Sequence, residues 1–243
     1  MKHNGDAYGH LMVDHLAGKT SYEIIERDDG YMAPSGGAPA YFAEYKNWPD
    51  RQKRAIKFAR GRVLDVGAGA GRVSLYLQKR GCKVTAIDNS PLAIGVCRTR
   101  GVKDARMISI GEVGKFKPNT FDTVVMFGNN FGLFGSRAGA KRLLKKLHAR
   151  TTPNAVILAE SIDPHQATDP LHFAYLRRNR KRGRMPGQLR IRPRFRIFKG
   201  NWFDYLLVSK KEMQQLLEGT GWKITRFFDS GRSAYTAVIA KKV

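Results

Sequence analysis

Residues Val63 to Arg72 read VLDVGAGAGR, and the fold is decided there. Val63, Leu64 and Val66 form a short apolar run suited to a parallel strand buried on both faces, and Val73 to Gln78, with Leu75 and Leu77, begins a helix. Between them stand Gly67, Gly69 and Gly71 at alternating positions. Glycine there admits a positive φ and lets a ligand approach the main chain closely, where a Cβ would collide. The helix that follows offers unpaired N–H groups and the positive end of its dipole, favourable to an anion or a carboxylate. The stretch predicts a strand, a tight turn and a helix, with a ligand at the turn.

A dinucleotide fold spaces its glycines GxGxxG. This chain has GxGxG, with Arg72 in place of the third glycine and Asp65 in a stretch that is apolar in the dinucleotide pattern. The ten residues resemble the first motif, hhDhGxGxG with h apolar, of the class I S-adenosylmethionine-dependent methyltransferases. That resemblance implies an α/β fold, doubly wound on a mostly parallel seven-stranded sheet with a terminal antiparallel strand. It implies S-adenosyl-L-methionine as cofactor, its methionine portion wrapped by Gly67, Ala68 and Gly69 and its amino group held with the help of Asp65.

The chain has 243 residues, enough for one α/β domain with insertions. It has no apolar run long enough for a membrane span and no signal pattern in MKHNGDAYGHLMVDHL, so a cytoplasmic protein is expected. Cys82 and Cys97 lack metal-ligand spacing, and no metal site is expected. The formal net charge is +24, distributed unevenly: residues 1–50 carry 8 acidic and 4 basic side chains, residues 51–150 carry 5 and 22. Such an asymmetry points to an anionic acceptor or RNA as partner, or to a solvated basic surface.

Lys83 to Asp88 (KVTAID) reads as a second buried strand. Its spacing sets the Asp88 carboxylate, with Asn89 after it, beside the glycine turn, where it can accept hydrogen bonds from ribose hydroxyls. A third strand is expected over Ala105 to Ile110. In the family the following loop contacts adenine, often through an acid; here Ile110 and Gly111 offer main chain, and Glu112 is the local carboxylate. Thr123 to Phe127 predicts a fourth strand, after which Gly128, Asn129 and Asn130 border the pocket. Asn129-Asn130-Phe131 lacks the prolines that amino-methylating nucleic-acid enzymes of the family often carry there.

Ala155 to Glu160 predicts the fifth strand, and residues 209–243 a helix and a terminal antiparallel pair. Residues 164–208 form a longer connection than is usual in the family, with a helix holding His172 and Tyr175 and then an alternating stretch. Leu189, Ile191, Pro193, Phe195 and Ile197 alternate with Arg190, Arg192, Arg194 and Arg196, which predicts a strand with one arginine face. Pro193 favours an edge position, and Lys199-Gly200-Asn201 the turn of a hairpin. The expected organisation is an N-terminal helical and loop segment, 1–60, over the cofactor site; a core of 61–163 and 209–243; and a substrate-facing helix and β-hairpin cap, 164–208. Glu160, His165, His172 and Tyr175 are candidates for a general base, which methyl transfer does not strictly require. The expected function is methyl transfer to a small or medium-sized acceptor. RNA methylation and non-catalytic binding of a nucleoside or RNA are the alternatives.

Overall fold

The computed structural model describes residues 5–19, 22–229 and 231–242; the sequence reading of residues 1–4 lies outside them. In chain order the elements are α1 (Ala7–Leu16), β1 (Ile24–Arg27), β2 (Met32–Pro34), α2 (Gly37–Phe42), α3 (Asp50–Ala55), β3 (Arg62–Val66), α4 (Arg72–Lys79), β4 (Lys83–Asp88), α5 (Pro91–Thr99) and β5 (Ala105–Met107). There follow β6 (Phe121–Met126), α6 (Arg137–Arg150), β7 (Thr151–Ile162), α7 (Pro170–Lys181), β8 (Gln188–Phe195), β9 (Phe198–Lys199), β10 (Phe203–Leu206), α8 (Lys210–Leu217), β11 (Trp222–Asp229) and β12 (Ala234–Lys241).

Seven strands form the main sheet in the order β11-β12-β7-β6-β3-β4-β5. The run from β7 to β5 is parallel, and β12 enters antiparallel between β7 and β11. Side-chain alternation divides β3 between two layers. Leu64 and Val66 face a core built with Leu144, Leu147, Met213 and Trp222, while Val63 faces Trp48, Ile56 and Leu77. Each such aliphatic side chain contributes about 1.5–3 kcal/mol by leaving water. The third strand is shorter than the sequence predicts, ending at Met107, because Ser109 caps a 3-10 turn that begins at Ile110. No helix among the described residues is long and apolar enough to cross a membrane.

A second, antiparallel sheet runs β10-β8-β1-β2, with β9 also pairing β8. Residues 24–34 and 188–206, far apart in sequence, thus build one sheet. Two expectations are corrected here. First, β8 is an interior strand, flanked by β1 and β10. Pro193 is tolerated because its carbonyl, and hence the side its missing N–H would face, looks toward Gly200, which bonds to it at 2.8 Å. β9 has ended there and β10 has not begun, so no ladder bond is lost. Second, the tight turn falls at Arg196, at φ +52, and not at Lys199-Gly200-Asn201. Ile197 consequently projects outward, 74% exposed, instead of joining the apolar face.

Candidate functional site

At the carboxyl end of β3 the turn carries φ values of +68, +56 and +78 at Gly67, Gly69 and Gly71. Close packing excludes side chains as well: a Cβ would stand 2.5 Å from Asn130 Nδ2 at Gly67 and 2.7 Å from Val102 Cγ2 at Gly71. The Asn130 amide donates to the carbonyls of Val66 and Gly67, at 2.9 Å each, and so fixes the strand end to the loop after β6. Asp88 ties the neighbouring strand to the same turn. Its Oδ2 accepts the Gly69 N–H and its Oδ1 the Ser90 N–H, both at 3.0 Å. Burial raises its pKa, against those backbone bonds. Each oxygen retains a lone pair for a further donor.

Asp65 lies beneath the turn, where Ser74 Oγ donates to it at 2.7 Å. Burial pushes its carboxyl up to about 6, with the Ser74 bond acting against the shift. Glu160, at the end of β7, is buried and fully occupied. Its Oε1 accepts from Arg51 Nε at 2.7 Å and pairs with Arg51 Nη2 at 2.5 Å, and its Oε2 accepts from Gln52 Nε2 at 2.5 Å and the Gly128 N–H at 2.7 Å. Gln52 in turn accepts from Arg72 at 3.0 Å, and the Arg72 guanidinium lies 4.7 Å from the Trp48 ring centre. Glu160 therefore braces the loop at Gly128 and has no free lone pair positioned to act as a base. Asn129 follows at φ +66, its Oδ1 buried without a partner. Its carbonyl accepts the Tyr205 hydroxyl at 2.7 Å, which anchors β10 to this loop.

Over the turn lies α1. Met12 Cε and Tyr41 Cδ1 each come to 3.3 Å of the point a Gly69 Cβ would occupy. Asp6 holds the helix in place: it caps α1 through Gly9 N–H at 2.9 Å and also accepts from Ser90 Oγ at 2.7 Å at the start of α5. Tyr41 donates to Glu23 Oε1 at 3.1 Å, and Tyr8 stands edge-on to Tyr41 at 6.2 Å. Burial raises the pKa of Tyr8, Tyr41 and Tyr205 well above the usual phenol range.

The structure brings together Asp65, Gly67, Ala68, Gly69, Asp88, Asn89, Gly128 and Asn129 at the carboxyl ends of β3, β4 and β6. Ile110 and Gly111 follow β5 on the far side; Gly111 accepts from Lys146 Nζ at 3.1 Å. Glu112 is spent on its own turn, accepting the Ser109 N–H at 3.1 Å and pairing with Lys115, which holds its pKa below the usual range. The remaining base candidates have partners elsewhere. Tyr175 donates to Asp28 at 2.6 Å beneath the β1–β2 turn, His172 meets Tyr31 edge-on at 4.8 Å, and His165 lies 3.4 Å from Glu212. Sequence reasoning missed Tyr8, Glu23, Arg51, Gln52 and Tyr205.

A doubly wound sheet with a glycine turn on its central strand and an acid ending the next defines a nucleoside-binding α/β protein. Residues 63–154 match the family model described as a methyltransferase domain. A ubiquinone biosynthesis O-methyltransferase of Dechloromonas aromatica is 41% identical over 83 residues, 32% of this chain and 34% of that protein. A tRNA (uracil(54)-C(5))-methyltransferase of Pyrococcus horikoshii is 32% identical over 99 residues, 40% of this chain and 22% of that one. The matches thus span about a third or less of these relatives. A crystal structure of an S-adenosylmethionine-dependent methyltransferase from Bacteroides fragilis, in complex with S-adenosylhomocysteine, is similar over far more. It aligns with 99% of this chain and 96% of its own, at 26% identity and a TM-score of 0.83, so the N-terminal segment and the second sheet fall within the likeness. Residues 63–154 thus form a methyltransferase domain, and the chain is similar over nearly its whole length to an S-adenosylmethionine-dependent methyltransferase, a class whose methyl donor is S-adenosylmethionine.

Proposed function

We propose that this protein transfers a methyl group from S-adenosylmethionine to a small or medium-sized acceptor held between the glycine turn and the second sheet. The observation that carries this is the closure of the turn from above. Met12 and Tyr41 lie on Gly69, and the Tyr205 hydroxyl bonds the Asn129 carbonyl, so a ligand here is enclosed by side chains. Such enclosure suits a small acceptor better than a base within a structured RNA. The name of the Dechloromonas aromatica relative agrees with a small acceptor.

The turn fits the cofactor by its chemistry: Asp88 keeps lone pairs for hydroxyl donors beside glycines at positive φ, and Asn129 Oδ1 is a buried acceptor without a donor. Gly67, Ala68 and Gly69 would hold the methionine portion with Asp65 beneath, Asp88 and Asn89 the ribose, and main chain at Ile110 and Gly111 the adenine. Gly128 and Asn129 would border the reacting centre. When bound, the sulfonium supplies the methyl group. What the chain contributes is position and exclusion of water: α1 shields the turn, and Glu160 with Arg51 and Gln52 fixes Gly128. An anionic acceptor held on the arginine face is disfavoured by the pairing of that face. Arg192 is bonded to Glu26 at 2.7 and 3.0 Å, and Arg190 lies 3.4 Å from Asp204.

A methyl-label screen against cellular small-molecule and RNA fractions tests the proposal. Label is expected in the small-molecule fraction; label in RNA alone would overturn it.

A further inference from the structure

We infer that Glu23 is the acceptor-binding carboxylate of this site and that the acceptor is a small amine, which gives a proton to Glu23 as it is methylated. This rests on the methyl-transfer function proposed above and names its substrate class.

Glu23 stands just before β1 and is 1% exposed. Its Oε1 is bonded to Ser35 Oγ and, at 3.1 Å, to Tyr41 Oη. Its Oε2 is buried with no partner. Both of those partners are neutral, whereas nearby carboxylates have cations: Glu26 has Arg192 and Arg194, Asp28 has Arg178, and Asp29 has Arg27. A buried carboxylate without a cation is costly to keep, and a ligand that supplies an N–H donor and a positive charge removes the cost.

The place of this group gives it a role. Tyr41 carries Glu23 on its hydroxyl while its ring lies against Gly69, so the carboxylate is one tyrosine ring from the glycine turn. Tyr8 stands edge-on to Tyr41 at 6.2 Å, on the same tyrosine that holds Glu23. Tyr8, Tyr41 and Tyr205 keep their phenol protons in this surrounding and do not compete as bases. A buried carboxylate oxygen with no donor, beside the Tyr41 hydroxyl, suits an ammonium group, which brings both N–H donors and the positive charge. The amine enters as ammonium and passes one proton to Glu23 Oε2. Its freed lone pair bonds the methyl carbon as the C–S bond breaks, and the bonding pair stays on sulfur. The products are a methylammonium, a thioether and a protonated Glu23, which then loses its proton to solvent.

Calorimetric titration of the full chain saturated with S-adenosylhomocysteine tests this, with benzylamine, benzyl alcohol and benzoate and their phenethyl counterparts as probes. The amine of at least one skeleton is expected to bind tenfold or more tighter than its carboxylate. Glu23→Gln is expected to lose tenfold or more of that affinity while holding S-adenosylhomocysteine as before. Amines that do not bind, carboxylates that bind equally well, or unchanged amine affinity in Glu23→Gln would each overturn the inference. If Glu23→Gln does not fold, the ranking in the unaltered protein decides. Failure to bind S-adenosylhomocysteine would sink the methyltransferase function itself; retained binding without amine preference sinks this inference alone.

Discussion

Two carboxylates near the glycine turn do different work, and each has its own test. Asp88 holds the Gly69 and Ser90 N–H groups and keeps lone pairs for hydroxyl donors. Asp88→Ala is expected to weaken S-adenosylhomocysteine binding by about 1.5–3 kcal/mol per hydrogen bond lost, read by calorimetry; unchanged affinity would remove Asp88 from the site. Asp65 is held at about 6, above the roughly 3.9 of an unfolded aspartate. The folded state therefore binds its proton more tightly. The contribution is fully present below about pH 4 and is lost as pH rises through about 6, a change on the order of 3 kcal/mol. The difference in unfolding free energy between the protein and Asp65→Asn, followed from pH 4 to 7, is expected to show this fall. Carboxylates held low by arginines, such as Glu26 and Asp104, act in the opposite direction and cancel in the difference. A flat difference would mean that Asp65 titrates normally.

At the scale of elements, α1 and α5 begin at one carboxylate. Asp6 accepts from Gly9 N–H, Ser90 Oγ and Leu92 N–H, so it caps α1 and fastens it to the start of α5. Replacing a helix-capping aspartate by alanine costs about 0.5–2 kcal/mol, and a shared cap belongs at the upper end. Asp6→Ala is expected to lower the urea midpoint accordingly and to speed dissociation of S-adenosylhomocysteine in stopped flow, because Met12 on α1 lies against Gly69. An unchanged off-rate would mean that α1 does not gate the turn. The arginine strand is also understood at this scale. Its alternation was legible, but its ion pairs with Glu26 come from β1, which periodicity of residues 188–195 cannot reveal.

For the whole molecule, the second sheet joins residues 24–34 to residues 188–206, so these stretches should open together. Hydrogen exchange at Ile24–Arg27 and Gln188–Phe195 is expected to share one opening free energy and to slow in both when S-adenosylhomocysteine binds. Separate opening free energies would show that the sheet is not one cooperative unit. The +24 charge acts at this scale too. Retention of RNA is expected only at low salt, falling steeply as salt releases the advantage of counterion displacement, with no methyl label in the RNA.

The local sequence determined the strand, turn and helix at VLDVGAGAGR, because glycine spacing and apolar alternation are short-range consequences of backbone sterics and burial. It also placed Asp88 beside the turn, since successive parallel strands in such a fold are neighbours. The seven-stranded sheet with an antiparallel end was implied by the resemblance of this motif, whereas the crossover that sets β6 on the other side of β3 from β5 is a tertiary outcome. Tertiary structure alone decided what stands opposite the turn. Glu23 and Tyr8 meet at Tyr41, and Tyr205 reaches the loop after β6, from segments up to about 200 residues apart, and no motif marks Glu23, Tyr8 or Tyr205. It also decided that Glu160 is a brace, because Arg51, Gln52 and Gly128 saturate it only once α3 and the loop after β6 meet at the end of β7.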